Sequence, residues 1–294
     1  MSAAADELDP RGRMVEVGGG RSLRAVTEGP SSSRRPLVML EAGSFGFSAD
    51  WAAVQARLAA EGLRSLAYDR AGLGWSDPGP EPRDSRAIVA DLEALLAALG
   101  ENGPLIVCGH SMAGLHARLF AGRNADRVKG LVLVDAVTPG ATDHPLASQM
   151  VGYFGSLSKL AAWGAKAGLA RPLAGPLGDA IGLPPLARAE KRHAFADPIH
   201  NRWAAAEVAA WRASEDEARA AAAYDPAVPI AVLLTGDARQ PLARHALQTA
   251  PANAARHGFV IHVPGASHAS LLGERHAGHI VRAILTVESA AASD

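Results

Sequence analysis

A single cysteine, Cys108, is present among the 294 residues of the chain, so no internal disulfide can form and the fold depends on packing. Because Cys108 lies in a short apolar stretch, we interpret it as a small core residue rather than a reactive thiol. Neither sign of charge predominates: 29 basic and 30 acidic side chains give a formal net charge of −1. This balance gives no electrostatic reason to expect nucleic acid or an anionic membrane as a partner.

Long apolar runs are also absent. No stretch approaches the ~20 apolar residues that a membrane-spanning helix requires, and residues 1–13 are polar and acidic, without an apolar segment of signal-peptide length. We therefore expect a cytoplasmic protein that does not insert into membranes, with residues 1–13 as a flexible N-terminus. Hydrophobic residues still account for 48% of the chain, enough for a substantial core. The length allows about one or two domains, and nothing in the sequence indicates the oligomeric state.

Short apolar runs alternate with helical patterns along most of the chain. Because the runs are continuous and separated by helices, they indicate parallel strands that are covered on both faces. The interval 139–225 departs from this alternation, since it contains only Ala-rich helical pattern with several large apolar side chains. The strand-like runs lie at residues 14–17, 23–27 and 36–41, in a fourth stretch that leads into Tyr68, and at residues 105–108, 131–134, 230–234 and 259–263.

The most informative motif is the hexapeptide at 109–114, Gly-His-Ser-Met-Ala-Gly, which follows an apolar stretch and precedes a helical one. This order is typical of a serine presented on a sharp strand-to-helix turn. The residues two before and two after such a serine must be small. Gly109 meets that requirement. Ala113 stands where the usual G-x-S-x-G pattern has glycine, so the turn must accommodate one additional methyl group.

Three further landmarks surround this motif. The strand-like run at 36–41 leads into the segment 42–46, Ala-Gly-Ser-Phe-Gly, and residues 69–76 match a D-R-x-G-x-G-x-S pattern. A late strand-like run ends in a turn that contains His268. A nucleophile, an acid and then a histidine is the chain order of the α/β-hydrolase triad. With these landmarks in this order, the chain resembles the α/β-hydrolase superfamily over nearly its whole length.

The resemblance implies an α/β-hydrolase fold: a mostly parallel central sheet with helices on both faces and a helical cap inserted after the sixth strand. It divides the chain into a hydrolase core at 14–138 and 226–290 and a helical cap at 139–225. Most apolar side chains of the cap are expected to pack against one another and the core. A few should line an entrance that favours apolar substrates. The candidates for this pocket are Phe45, Trp75, Met150 and Phe154.

The resemblance also assigns roles at the site. Ser111 is the expected nucleophile, and because an alcohol is a weak nucleophile at neutral pH, it requires a base, His268. The negative oxygen of the tetrahedral intermediate requires donors that are already in place, and the backbone amides of Ser44 and Met112 are expected to provide them.

The acid that orients the imidazolium can be assigned in two ways. In the common family pattern it lies three residues past the glycine that follows the seventh strand, but here that position holds Arg239. Asp237 is only one residue past this glycine. Some relatives instead use an acid after the sixth strand, where Asp135 stands. We therefore favour Asp135, with Asp237 as the alternative, although an aspartate at 135 could also brace the start of the cap.

Asp69 and Arg70 stand side by side at a predicted strand end. A carboxylate and a guanidinium at such a place could bind substrate. Their position in the family turn instead favours a structural pair that braces the loop beside the oxyanion segment.

On this basis we expect a serine hydrolase that cleaves carboxylic esters of small to medium apolar substrates through an acyl-enzyme. Haloalkane dehalogenase and epoxide hydrolase relatives use an aspartate nucleophile, which the serine at 111 argues against. Thioesterase or amidase, acyltransferase, carbon-carbon hydrolase and perhydrolase chemistry on the same triad stay open, as does a non-catalytic ligand-binding member. No cofactor is expected, because the glycine-rich segments lack dinucleotide and phosphate-loop spacing. No metal site is expected either, because the histidines lack ligand partners at suitable spacing.

Overall fold

The computed structural model describes residues 8–32, 34–169, 171–236 and 242–293. Within them, eight strands form one sheet in the order β1-β2-β4-β3-β5-β6-β7-β8. The pairs β1-β2 and β2-β4 are antiparallel, and all neighbours from β4 to β8 are parallel. The strands are β1 (Arg13–Glu16), β2 (Ser22–Glu28), β3 (Leu37–Glu41), β4 (Ser65–Tyr68), β5 (Leu105–His110), β6 (Val128–Val134), β7 (Ile230–Thr235) and β8 (Gly258–Val263).

Helices connect the parallel strands and cover both faces of the sheet. The predicted α/β-hydrolase architecture is confirmed. The helices are α1 (Ala52–Ala60), α2 (Ser85–Ala98), α3 (Ala113–Arg123), α4 (Pro145–Lys166), α5 (Arg171–Asp179), α6 (Pro185–Ala196), α7 (Pro198–Ala209), α8 (Trp211–Ala220), α9 (Leu242–Ala254) and α10 (Ala277–Ala291).

The sheet separates two apolar layers. In β3, Val38 and Leu40 belong to the layer that contains α1 and α10 residues, whereas Leu37 and Met39 belong to the layer that contains α2 and α3 residues. Successive strand side chains point to opposite faces, so a strand covered on both sides is apolar throughout. Cys108 in β5 is fully buried, and burial raises the pKa of its thiol, as fits a core residue.

Helices α4 to α8 lie between β6 and β7, and we call residues 139–225 the cap segment. Buried ion pairs join its helices to β2 and to the segment that follows β3. Glu190 of α6 lies 2.9 Å from Arg24 Nη2 of β2, and Lys191 Nζ lies 2.7 Å from Asp50 Oδ1. These contacts place the base of the cap segment firmly on the carboxyl edge of the sheet.

Contacts between the N-terminal segment and the rest of the protein begin earlier in the chain than the sequence predicted. The backbone N–H of Arg11 donates a hydrogen bond to Glu190 Oε1 at 2.7 Å, and β1 already begins at Arg13. Residues 11–13, which were assigned to a flexible N-terminus, thus contact the cap segment at Arg11 and enter β1 at Arg13. Residues 1–7 lie outside the described residues.

Helix α4 departs from the expectation that most apolar residues of the cap segment pack inward. Of its side chains, only those of Ser158 and Ala165 are buried. None of the helices in the described ranges has the length and apolar character needed to cross a bilayer. The large apolar side chains that α4 exposes are Leu146, Met150, Tyr153, Leu157, Leu160 and Trp163.

Candidate active site

Ser111 occupies the turn between β5 and α3. Its φ of +57° lies in the left-handed region, which is strained for a residue other than glycine. Two backbone hydrogen bonds hold it there: Ser111 N–H donates to Val134 O at 3.1 Å, and Val137 N–H donates to Ser111 O at 2.8 Å. The end of β6 and the segment that follows it therefore fix the position of the serine.

The turn has little room for side chains. A Cβ atom at Gly114 would lie 2.2 Å from Val137 O, and one at Gly109 would lie 3.1 Å from Ala113 O. Ala113, which replaces the glycine of the usual pattern, is completely buried. The additional methyl group is thus accommodated, while the small residues on either side keep the turn tight.

Asp135 and His268 are brought together at the carboxyl edge of the sheet. Asp135 directly follows β6, has a φ of +41° and is 3% exposed. His268 Nδ1 lies 2.6 Å from Asp135 Oδ2. A carboxylate only accepts hydrogen bonds, so Nδ1 carries the proton and the lone pair of the neutral ring is on Nε2. The other candidate acid, Asp237, lies outside the described residues.

Gln248 of α9 supports the same carboxylate. Its Nε2 donates to Asp135 Oδ1 at 3.0 Å, and the side chain is buried. Both carboxylate oxygens of Asp135 therefore accept a hydrogen bond, and the plane of the carboxylate is fixed. The sequence analysis did not identify Gln248, because nothing in the helical pattern of α9 distinguishes it.

His110 links the serine turn to the loop that carries His268. The two rings lie 4.5 Å apart between centroids, and His110 Nε2 is 3.1 Å from the carbonyl oxygen of His268. Because a carbonyl only accepts, His110 is the donor. Burial, and then the neighbouring His268, lower the pKa of His110 to about 3, so the ring is neutral. His110 thus connects the turn that carries Ser111 to the loop that carries His268.

The hydroxyl of Ser111 makes no hydrogen bond to His268 within the described part of the chain. In free enzymes, catalytic hydrogen bonds are often long and shorten only when substrate binds. Ser111 is partly exposed, and the side chain of His268 is 49% exposed. Both groups are thus accessible to solvent.

The two predicted oxyanion residues lie side by side. Ser44 Oγ donates to Met112 Sδ at 3.2 Å, which joins the loop after β3 to the N-terminus of α3. A Cβ atom at Gly43 would lie only 2.8 Å from Ser111 Cβ, so the backbone of this loop passes directly beside the serine. Glycine at 43 makes that approach possible.

Asp69 and Arg70 act separately rather than as a pair. Asp69 Oδ1 and Oδ2 accept hydrogen bonds from the backbone N–H groups of Ser48 at 3.1 Å and Trp75 at 3.0 Å. Arg70 instead reaches the loop beside Ser111, donating to Gly43 O at 2.8 Å. Each residue braces a different loop, and both are buried.

Two of the four predicted pocket residues lie near the site. The ring of Phe154 in α4 lies 6.2 Å from that of Phe45, which follows Ser44, and 6.4 Å from that of Trp211. These three rings form an apolar cluster over the oxyanion loop. Through Phe154, the cap segment thus contacts Phe45 in the loop beside Ser111.

The other two pocket predictions are not supported. Met150 is 72% exposed, because it lies on the outer face of α4, so it does not line an enclosed pocket. Trp75 stacks on His193 at 5.2 Å and lies under the guanidinium of Arg24 at 4.4 Å. These contacts make Trp75 part of the junction between the cap segment and the sheet. Among the described residues, no group of three or more His, Cys, Asp or Glu side chains is arranged to hold a metal ion.

Comparisons with known proteins agree with this architecture. A family model described as the alpha/beta hydrolase fold matches residues 36–180. An enol-lactonase from Burkholderia xenovorans LB400 is 20% identical, with a TM-score of 0.65 and coverage of 94% of this chain and 99% of that chain. These matches show that the chain has the α/β-hydrolase fold. A thermophilic esterase from Thermogutta terrifontis has a TM-score of 0.65 at 22% identity, covering 94% of this chain and 98% of that chain.

Curated sequence relatives are matched over shorter stretches. An uncharacterised protein from Schizosaccharomyces pombe is 36% identical over 73 residues, which are 25% of this chain and 14% of that protein. A probable transporter from Hormonema carpetanum is 30% identical over 129 residues, which are 42% of this chain and 18% of that protein. The chain thus spans less than a fifth of the length of these relatives.

Proposed function

We propose that this α/β hydrolase is a serine esterase that cleaves carboxylic esters of small to medium apolar substrates through an acyl-enzyme. The observation that carries the proposal is the 2.6 Å contact between His268 Nδ1 and Asp135 Oδ2, beside a serine on a strained strand-to-helix turn. This contact leaves Nε2 of His268 free to accept a proton, which is what a base for Ser111 requires.

The proposed reaction has two halves. Ser111 Oγ forms a bond to the ester carbonyl carbon while its proton moves to His268 Nε2, and the carbonyl oxygen becomes an oxyanion near the amides of Ser44 and Met112. The bond to the alcohol oxygen then breaks, and His268 returns the proton to the departing alcohol. Water then attacks the acyl carbon of the acyl-enzyme while His268 takes a proton from the water. The bond to Ser111 Oγ breaks, the acid leaves, and His268 returns the proton to the Ser111 hydroxyl.

The aromatic cluster above the oxyanion loop supports apolar substrates. Phe45, Phe154 and Trp211 present ring edges and faces rather than charges, and apolar lining excludes water from the reacting carbonyl. We expect Phe154→Ala to shift the preferred acyl length toward longer chains. A variant with altered stability but an unchanged chain-length profile would assign Phe154 a packing role alone.

Hydrolysis of p-nitrophenyl acetate, butyrate and octanoate tests the proposal. We expect Ser111→Ala and His268→Ala each to lower kcat/KM by at least ~10³-fold, because residues that act as a unit fail together. Matched controls are Ser156→Ala on α4 and His279→Ala on α10, which remove the same side chains outside the site. Wild-type turnover in either site variant would reject the assignment.

A further inference from the structure

Arg70 is the most fully bonded cation beside the candidate site. It follows β4, and its side chain is 2% exposed. A guanidinium has five N–H donors and no acceptor, and here five acceptor contacts surround it. They are Glu41 Oε1 at 2.7 Å, Ala42 O at 2.5 Å, Gly43 O at 2.8 Å, and Glu207 Oε1 and Oε2 at 2.8 Å each.

The contact between Arg70 and Gly43 helps to fix the direction of an amide. The carbonyl of Gly43 and the N–H of Ser44 belong to the same peptide group, and in a trans peptide they point in opposite directions. Arg70 Nη2 donates to this carbonyl at 2.8 Å, and the backbone N–H of Gly46 donates to it at 3.0 Å. The N–H of Ser44, one of the two proposed oxyanion donors, must therefore point away from Arg70.

The position of Arg70 is in turn set by the cap segment. Glu207 lies on α7 and is completely buried, and its carboxylate meets the guanidinium through two parallel hydrogen bonds. Such a two-point contact fixes both the distance and the plane of the guanidinium. On the other side, Glu41 is held by Arg70 and by Tyr68 OH at 2.5 Å. Arg70 is thus bonded to Glu41 of β3 on one side and to Glu207 of the cap segment on the other.

The same edge of the sheet offers a comparison. Glu190, on the neighbouring cap helix α6, is also completely buried and pairs with Arg24 at 2.9 Å. Arg24 Nη2 also donates a hydrogen bond to the hydroxyl of Ser48 at 3.2 Å, rather than to the carbonyl groups of the oxyanion loop. Two carboxylates therefore join the cap to the sheet through arginines, but only the one at 207 acts on the arginine that holds Gly43.

We propose that Arg70 is a positioning residue for the oxyanion hole and that Glu207 of the cap segment holds it in place. The cap then contributes to stabilising the transition state without touching the reacting carbonyl. This inference rests on the proposed esterase function, because it assigns a role to the Ser44 amide in that reaction. Its distinguishing consequence is a loss in kcat rather than in substrate binding, since an oxyanion forms only in the transition state.

The test compares Glu207→Gln with the matched control Glu190→Gln. With p-nitrophenyl butyrate we expect Glu207→Gln to lower kcat about 10- to 100-fold, below the ~10²- to 10³-fold cost of deleting an oxyanion donor outright, with KM within about twofold. Butane boronic acid, which forms a tetrahedral adduct with serine, should lose affinity by the same factor. Glu190→Gln should lower the melting temperature by a similar amount but leave kcat and boronic acid affinity unchanged.

Arg70→Lys provides a second perturbation. Lysine keeps the charge but lacks the planar fork that reaches two carbonyls and a carboxylate together, so we expect a larger loss in kcat than for Glu207→Gln. If Arg70→Lys does not fold, the comparison between the two glutamate variants decides alone. Equal kcat in Glu207→Gln and Glu190→Gln, or an effect confined to KM, overturns the inference. The proposed function is still upheld in that case if the wild type shows Ser111-dependent hydrolysis. Absence of Ser111-dependent hydrolysis in the wild type overturns both.

Discussion

Replacing Asp135 by asparagine tests the contact on which the proposed mechanism depends. The carboxylate is 3% exposed and accepts hydrogen bonds from His268 Nδ1 at 2.6 Å and from Gln248 Nε2 at 3.0 Å. Asparagine has nearly the same shape. It also tolerates the left-handed conformation that Asp135 adopts, with a φ of +41°. The change is therefore confined to the charge and to one acceptor oxygen.

The size of the effect follows from the two hydrogen bonds. An amide has one acceptor oxygen, and if it stays with Gln248, the NH₂ group faces His268 Nδ1. That arrangement favours the tautomer with the proton on Nε2, which cannot accept the proton of Ser111. We expect kcat to fall by ~10³ to 10⁴, as in the known serine triad, which corresponds to about 4 to 5.5 kcal/mol of transition-state stabilisation.

The assay is steady-state hydrolysis of p-nitrophenyl butyrate, restricted to variants whose thermal unfolding stays close to that of the wild type. Asp237→Asn is the matched control, and we expect it to keep most of the activity. If Asp237→Asn is inactive while Asp135→Asn keeps more than about a tenth of wild-type kcat, the assignment of the acid is wrong. The contact between Asp135 and His268 would then be structural.

Three further perturbations follow from the same site. Gln248→Leu removes one hydrogen bond from Asp135, worth about 1 kcal/mol, so kcat should fall roughly fivefold; an unchanged kcat would show that Gln248 is not needed to orient the carboxylate. Gly43→Ala places a Cβ 2.8 Å from Ser111 Cβ, so we expect about 1 to 3 kcal/mol of destabilisation with a fall in kcat, and wild-type turnover would contradict the close approach. Burial lowers the pKa of His110 and His200 to about 3, so the unfolded chain binds protons below about pH 6.5 that the folded chain excludes. The stability that these residues contribute is fully present above that pH and declines toward pH 3, by up to about 1.4 kcal/mol per pH unit for each histidine. Urea unfolding near pH 7.5, 6 and 5 measures this slope, which His200→Gln should reduce by about one proton; an equal slope in wild type and variant would contradict it.

The sequence predicted the architecture well, because apolar strands and tight turns depend on residues that are close together in the chain. The small residues around Ser111 indicated a tight turn, and the structure shows the steric reason: Gly114 approaches Val137 O too closely for a side chain. The preference for Asp135 came from finding Arg239 where an acid was expected, and the structure places Asp135 against His268. Their catalytic roles stay predictions.

Long-range contacts could not be predicted in the same way. Gln248 reaches Asp135 from a helix 113 positions later, and no local pattern marks such a contact. Met150 was expected in the pocket because it is apolar, but α4 carries more apolar residues than its inner face can bury, so some face outward. Asp69 and Arg70 are neighbours in sequence that bond to different loops, because consecutive side chains at a strand end point in different directions.

Labelling with a fluorophosphonate tests the central claim, that Ser111 is a nucleophile activated by His268, most directly. The probe phosphonylates only an activated serine, and peptide mapping by mass spectrometry identifies the modified residue. We expect one adduct per chain, on Ser111, formed much more slowly in His268→Ala and absent in Ser111→Ala. An unlabelled wild-type protein, or an adduct on any other residue, would contradict the account.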